Sequence, residues 1–202
     1  MFDMDIWLLL IGFLLDLILL SMLSASEVAI ASFGENKIED MEEKGDKLAA
    51  SFKQIQKNPE SFFGTIQTAT TILQLILVLL TYFLIENLMN EVLLQSSINS
   101  EAAFFLRLIA AVAVASFFVL TTGILIPKAL GFKYADSIGK KSVRTLLLLS
   151  TLLHLPVRYV TFISNMILYP FKEKTNFSQT RLSEDEIRII LSEGVKSGAI
   201  DK

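Results

Sequence analysis

Thr121-Thr122-Gly123-Ile124-Leu125-Ile126-Pro127-Lys128 closes an apolar run that begins near Phe104. A hydrocarbon core about 30 Å thick takes about 20 apolar helical residues to cross. The run is long enough, yet Gly123, Pro127 and Lys128 crowd its end. Backbone disturbed at membrane depth persists only where protein or a polar cavity satisfies it, because lipid offers peptide groups no partner. The stretch therefore predicts both a spanning helix and a polar site within it.

Two further runs have the same character. Ile6–Ala31 contains Asp16 and the cluster Ser21-Met22-Leu23-Ser24-Ala25-Ser26-Glu27, and Ile66–Ile85 contains Gln67-Thr68-Ala69-Thr70-Thr71-Ile72-Leu73-Gln74. Composition agrees with a bilayer as solvent: of 202 residues, 52% are hydrophobic and only 19% charged, against about 25% charged in ordinary soluble domains. The chain reads as an all-α integral membrane protein with three spans at about 6–31, 66–85 and 104–126. The first run is not a cleaved signal, since no basic residue precedes it. With no cysteine, disulfides, thiolate nucleophiles and Cys-ligated metals are excluded. A net charge of −3 gives no basic surface for nucleic acid.

Basic residues flanking the spans set orientation. Lys37, Lys44, Lys47, Lys53 and Lys57 fall within 34–60, and Lys128, Lys133, Lys140, Lys141 and Arg144 within 127–144; the 86–103 connection has no Lys or Arg. The expected topology places the N-terminus outside and the C-terminus in the cytoplasm of a multi-pass protein of the cell membrane. Residues 34–58 read as an amphipathic juxtamembrane helix or helix pair. Residues 132–171 read as further juxtamembrane helices, because His154, Pro156, Arg158 and Asn165 interrupt the apolar run 145–171, and a charge at mid-membrane costs about 2.5–3.5 kcal/mol even on the lenient scale. A fourth span is the alternative. Residues 172–202 read as a hydrophilic linker and a short soluble helix opened by a capping box, Ser183 at N-cap and Glu186 at N3. That helix has nothing to cover its apolar stripe, so the chain reads as stopping where a cytoplasmic domain starts.

At 100° per residue Asp16, Ser21, Ser24 and Glu27 share an arc of roughly 140° on the first helix, with Ser26 elsewhere. Gln67, Thr70, Thr71 and Gln74 share an arc of roughly 100° on the second. Pro127 cannot donate to the carbonyl of Gly123, so the third helix is expected to break and to present free carbonyls. Hydroxyl, amide and carbonyl oxygens suit hard cations such as Mg²⁺, Ca²⁺ or Na⁺, with Asp16 and Glu27 as the available carboxylates. The plain alternative is that the hydroxyls bond to the preceding turn, that both acids are satisfied packing residues, and that Lys128 is an interfacial anchor. A single His, in the 145–171 segment, and the lack of a Gly-rich phosphate loop point away from an enzyme.

Three elements carry a resemblance. Leu23-Ser24-Ala25-Ser26-Glu27-Val28-Ala29 resembles the F-S-x-S-E-x-A element of the CorC/CNNM membrane-domain family. Thr65–Gln74 is similar to its I-Q-x-G-x-T-L-x-N element, and Gly123–Gly131 to its G-E-x-x-P-K-x-x-G element. Leu182–Gly194 resembles the acidic helix that leads into paired CBS modules. The resemblance implies a homodimer with three spans per subunit, Mg²⁺ efflux coupled to Na⁺ entry, and nucleotide sensing only through a following CBS region. It also implies an ion site drawn from Ser21, Ser24, Thr71, Gln74 and the region around Gly123. Gly123 and Pro127 are expected to open the third helix, and Glu27 and Lys128 to set local charge near the cytoplasmic mouth. This sequence departs from the pattern at three places: Ile124 stands at the acidic position, Gln74 at the Asn and Ala69 at the Gly. Isoleucine cannot ligate a metal. Asp16 is then the substitute carboxylate, and a non-transporting regulatory or scaffolding member is the competing expectation.

Overall fold

A computed structural model describes residues 5–94 and 99–171. The described residues fold into helices without strands: α1 (Ile6–Ala31), α2 (Glu35–Glu43), α3 (Ala49–Lys57), α4 (Pro59–Leu94) and α5 (Ser100–Phe118) come first. A π-helical segment Val119–Leu125 follows, and then α6 (Ile126–Lys133), α7 (Ala135–Leu152), α8 (His154–Leu168) and a 3₁₀ turn Tyr169–Phe171. The capping box at Ser183 and the linker before it lie outside the described residues.

Three helices are long and apolar enough to cross a membrane: Ile6–Ala31, Ser61–Met89 and the continuous rod Ser100–Lys133. Their outward faces carry large apolar side chains such as Leu8, Ile11, Leu15, Ile18, Leu75, Leu79, Phe105 and Ile109, all exposed. That pattern is what lipid selects, since acyl chains are as apolar as the helices. α7 and α8 are separate helices bent by 66° at Leu153. Pro156 sits in the first turn of α8, where its missing N–H is an orphan position anyway. Counted as one bent span, the pair would bring the crossings to four.

α1 is the hub: it packs against α4, the π segment, α6 and α7. At its N-terminal half Leu9, Phe13 and Leu17 meet Leu77, Leu84 and Ala115, and Phe13 stands edge-on to Phe118, ring centroids 5.4 Å apart. At the other end Leu23, Ile30 and Phe33 join Ile38 and Met41 of α2, Phe52 and Ile55 of α3, Phe62 and Ile66 of α4, and Val143 and Leu146 of α7. The short helices thus close the end of the bundle with their apolar stripes. Gly45, at φ +70°, ends α2: its N–H reaches Glu42 O and the Asp46 N–H reaches Met41 O, the paired bonds of a Schellman cap that glycine adopts without strain.

Ion pairs tie this layer down. Lys37 reaches Asp136 at 2.6 Å, joining α2 to α7, and Lys53 pairs with Glu42. Lys140 of α7 reaches Asp46 at 2.8 Å. The hydrogen bond from Lys140, with that from the Leu48 N–H, holds the Asp46 carboxyl below its ordinary value, and Asp46 in turn raises Lys140. The signs are opposite. The Asp46 contribution is present above the ordinary carboxylate range and is lost as pH falls through its lowered value. The Lys140 contribution is present below the ordinary lysine range and is lost as pH rises through its raised value. Thermal unfolding of the purified protein should show Asp46→Asn changing stability at neutral pH while flattening its fall under acid. Both groups are partly exposed, so the effect is small and screened by salt.

Candidate functional site in the middle of the bundle

The third span does not break at Pro127 as the sequence leads one to expect. It stays continuous by widening into the π segment, and Pro127 enters α6 in its first turn. The Ile126 N–H donates to Thr121 O, five residues back. One residue further, that register would require Pro127 to donate to Thr122 O, which proline cannot do. That leaves the Thr122 carbonyl without this backbone donor, and the Ser21 hydroxyl of α1 donates to it at 2.7 Å. Single π turns inside α-helices are frequent at functional sites.

Close packing fixes α1 against this segment. Gly123 is buried, and a Cβ there would lie 2.7 Å from Leu20 Cδ2. Farther along, a Cβ on Gly131 would lie 2.3 Å from the Ala25 carbonyl oxygen, so α1 and α6 touch backbone to backbone. The small residues of Ser24-Ala25-Ser26 permit this approach. Beyond it Lys128 Nζ reaches Glu27 Oε2 at 3.0 Å, a partly exposed pair between the same two helices. Phe13 against Phe118, Ser21 against Thr122 and Glu27 against Lys128 run in the same order along both rods. α1 and the third span therefore lie parallel.

Asp16 falls inside this seam. It is 5% exposed, and its Oδ2 is buried with no hydrogen-bond partner among the described residues. Counting along Ile6–Ala31, it sits about 4 Å from the helix midpoint at 1.5 Å per residue. A buried carboxyl oxygen without a partner costs about 1–3 kcal/mol or more. Ionisable residues at such depth are rare and are functional candidates by default.

Ser24 is also fully buried on α1 and makes no hydrogen bond among the described residues. The α4 residues are placed differently. Thr70 is buried and bonds Ile66 O and Gln67 O at 3.0 Å, while Thr71 is exposed and bonds Gln67 O at 2.8 Å. Gln67 is exposed and Gln74 half-buried. Thus Ser21, Gly123, Pro127, Glu27 and Lys128 are brought together by α1 and the third span, with Asp16 in the same seam. Thr70 and Thr71 are tied to their own helix, and no bond links Gln67 or Gln74 to the seam. Among the described residues no three His, Cys, Asp or Glu side chains gather to hold a metal.

Sequence reasoning passed over Arg107. It lies in the first turns of α5 and approaches Glu86 of α4 at 3.5 Å, both largely buried. The signal was available: one basic residue early in the third span, and an acid near the end of the second.

A multi-pass helical membrane protein with a π-disturbed third span is the class that this architecture defines. The chain belongs to the Cyclin M transmembrane N-terminal domain family, whose match covers residues 10–202. It is similar to two proteins of Bacillus subtilis (strain 168). UPF0053 protein YhdP is 24% identical over 179 residues, 88% of this chain and 40% of that protein. UPF0053 protein YrkA is 25% identical over 194 residues, 96% of this chain and 45% of that protein. The chain thus spans less than half the length of these relatives.

Proposed function

We propose that the protein moves a small cation across the cell membrane, with Mg²⁺ efflux, coupled to Na⁺ entry, as the favoured activity. Membership of a transporter-type family supports the class. The observation that carries the reading is the seam between α1 and the third span: a π segment whose freed Thr122 carbonyl is held by Ser21, with a buried Asp16 carboxyl on α1 whose Oδ2 has no partner among the described residues. Discontinuous helices supply the same kinds of oxygen at transporter sites near the bilayer midplane. In this reading Ser21, Ser24 and the Thr122 carbonyl offer neutral oxygens, and Asp16 the negative charge. Thr71 and Gln74 join from α4 when the spans rearrange or a second subunit docks. Glu27 and Lys128 set the potential at the mouth. The N-terminus faces outside, the Lys-rich helices face the cytoplasm, and the unit is a homodimer.

Flux into and out of proteoliposomes over a panel of cations tests this. Transport of Mg²⁺ is expected in the parent protein, with a loss of about tenfold, or about 1.4 kcal/mol, in Ser21→Ala. Absence of flux and of binding for every cation overturns the reading. The lack of any acidic cluster among the described residues, with Ile124 at the family's acidic position, favours a second reading: a non-transporting membrane module that regulates or scaffolds. Ile124→Glu separates the two. Mg²⁺ flux gained only in that variant identifies a chain whose transport site has been lost.

A further inference from the structure

Between α1, α4 and α7 lies a groove of about 650 Å³. Leu19, Met22, Ile72 and Leu73 supply its walls from the two spans, and Ile138 and Leu149 cover it from α7. Leu19, Met22 and Ile72 are exposed, so in a bilayer the groove opens onto acyl chains. Two polar features are out of keeping with such a lining. Ser26 is 6% exposed, lines the groove and has no hydrogen-bond partner among the described residues. Lys141 also lines it; it is exposed and has no carboxylate partner among the described residues, whereas its neighbour Lys140 is paired with Asp46. Helical spacing explains the difference, since Ile138, Lys141, Ser142, Thr145 and Leu149 share the face of α7 turned toward the groove.

We infer that the groove between α1, α4 and α7 is a binding site for an anionic phospholipid: one acyl chain lies along the apolar walls, the phosphate meets Lys141, and the Ser26 hydroxyl donates to an ester carbonyl. Charge complementarity selects this occupant. A lipid with a net-neutral headgroup fills the walls equally well but gains nothing from an unpaired ammonium, and basic pockets between spans near a membrane surface bind acidic headgroups. The site is separate from the seam of Asp16 and Ser21, so it stands or falls independently of transport.

Native mass spectrometry of the detergent-purified protein, given equimolar phosphatidylglycerol and phosphatidylcholine, tests the inference. Phosphatidylglycerol should be retained preferentially, and Lys141→Ala should cut that retention about fivefold. Lys57→Ala, which removes another exposed lysine outside the groove, should leave it unchanged. Ser26→Leu, which fills the groove, should lower retention of both lipids. Equal retention of the two lipids by the parent overturns the proposal. So does an equal loss in Lys57→Ala and Lys141→Ala, which would mean diffuse attraction. Efficient disulfide formation between copies carrying Leu149→Cys in vesicles would show that a second copy covers the groove, and overturns it too. Should Ser26→Leu fail to elute as folded protein, the Lys141 and Lys57 comparison decides alone.

Discussion

Gly131→Ala is expected to disrupt the bundle, while Gly123→Ala is tolerated. Both glycines lie where the third span presses on α1, but they press on different things. A Cβ at 131 would stand 2.3 Å from the Ala25 carbonyl oxygen and 3.0 Å from its Cα, and backbone cannot rotate aside. Relief requires α1 and α6 to separate, which opens the seam at Ser21 and Thr122 and strains the Glu27–Lys128 pair. Overpacking a well-filled core costs about 1–3 kcal/mol and occasionally more; a clash with backbone belongs at the upper end or beyond. At 123 the obstacle is Leu20 Cδ2 at 2.7 Å, the tip of a side chain with other rotamers. Alanine there also gains about 1 kcal/mol of helix propensity over glycine, enough to offset much of the repacking. Thermal unfolding and size-exclusion profiles in detergent should show aggregation or a large fall in midpoint for Gly131→Ala and a small change for Gly123→Ala. Equal behaviour of the two variants would mean that the backbone contact between α1 and α6 is absent in the membrane.

Asp16→Leu is expected to make the protein more stable and to end transport. The carboxyl has a buried oxygen without a partner, which costs about 1–3 kcal/mol relative to an apolar group of similar shape. Leucine removes that cost and matches the surrounding Phe13, Leu17 and Leu20. On the function proposed above, the role of Asp16 is to attract a dehydrated cation. Asp16→Asn keeps shape and polarity and removes only the charge. Both variants should lose flux by about tenfold or more, equivalent to about 1.4 kcal/mol, while the leucine variant alone melts higher than the parent. If Asp16→Leu transports normally, the acid is a packing residue. If it melts lower, the carboxyl has a stabilising partner and the seam must be redrawn.

Legibility followed the range of the interaction. The span lengths, the amphipathic 34–58 segment and the break between α7 and α8 depend on composition, period and a proline, all local. Pro127 and Gly123 announced a disturbance of the third span, and the structure keeps a disturbance there. Its form was not readable. Whether proline leaves the carbonyl four residues back or five without its donor depends on the helical register, and at the widened register α1 supplies a hydroxyl to the freed Thr122 oxygen. Ser21 and Thr122 are 101 positions apart, beyond the reach of any periodicity. The arc argument did place Asp16, Ser21, Ser24 and Glu27 on one side of α1. It could not say that Gln67 and Thr71 look outward, since a helix wheel reports a shared face but not what the face meets. Gln67 and Thr71 remain exposed, and Ser26, set apart by the same arc, lines the groove under α7.

From the sequence alone came the solvent and the scale: continuous apolar runs of about 20 residues are helices in lipid, because within a single segment only a helix satisfies all of its own backbone hydrogen bonds there. Tertiary structure alone decided which polar groups meet. Helix packing brings two backbones together only where side chains are small, so Ala25 and Gly131 hold α1 close enough to the third span for Ser21 to reach Thr122.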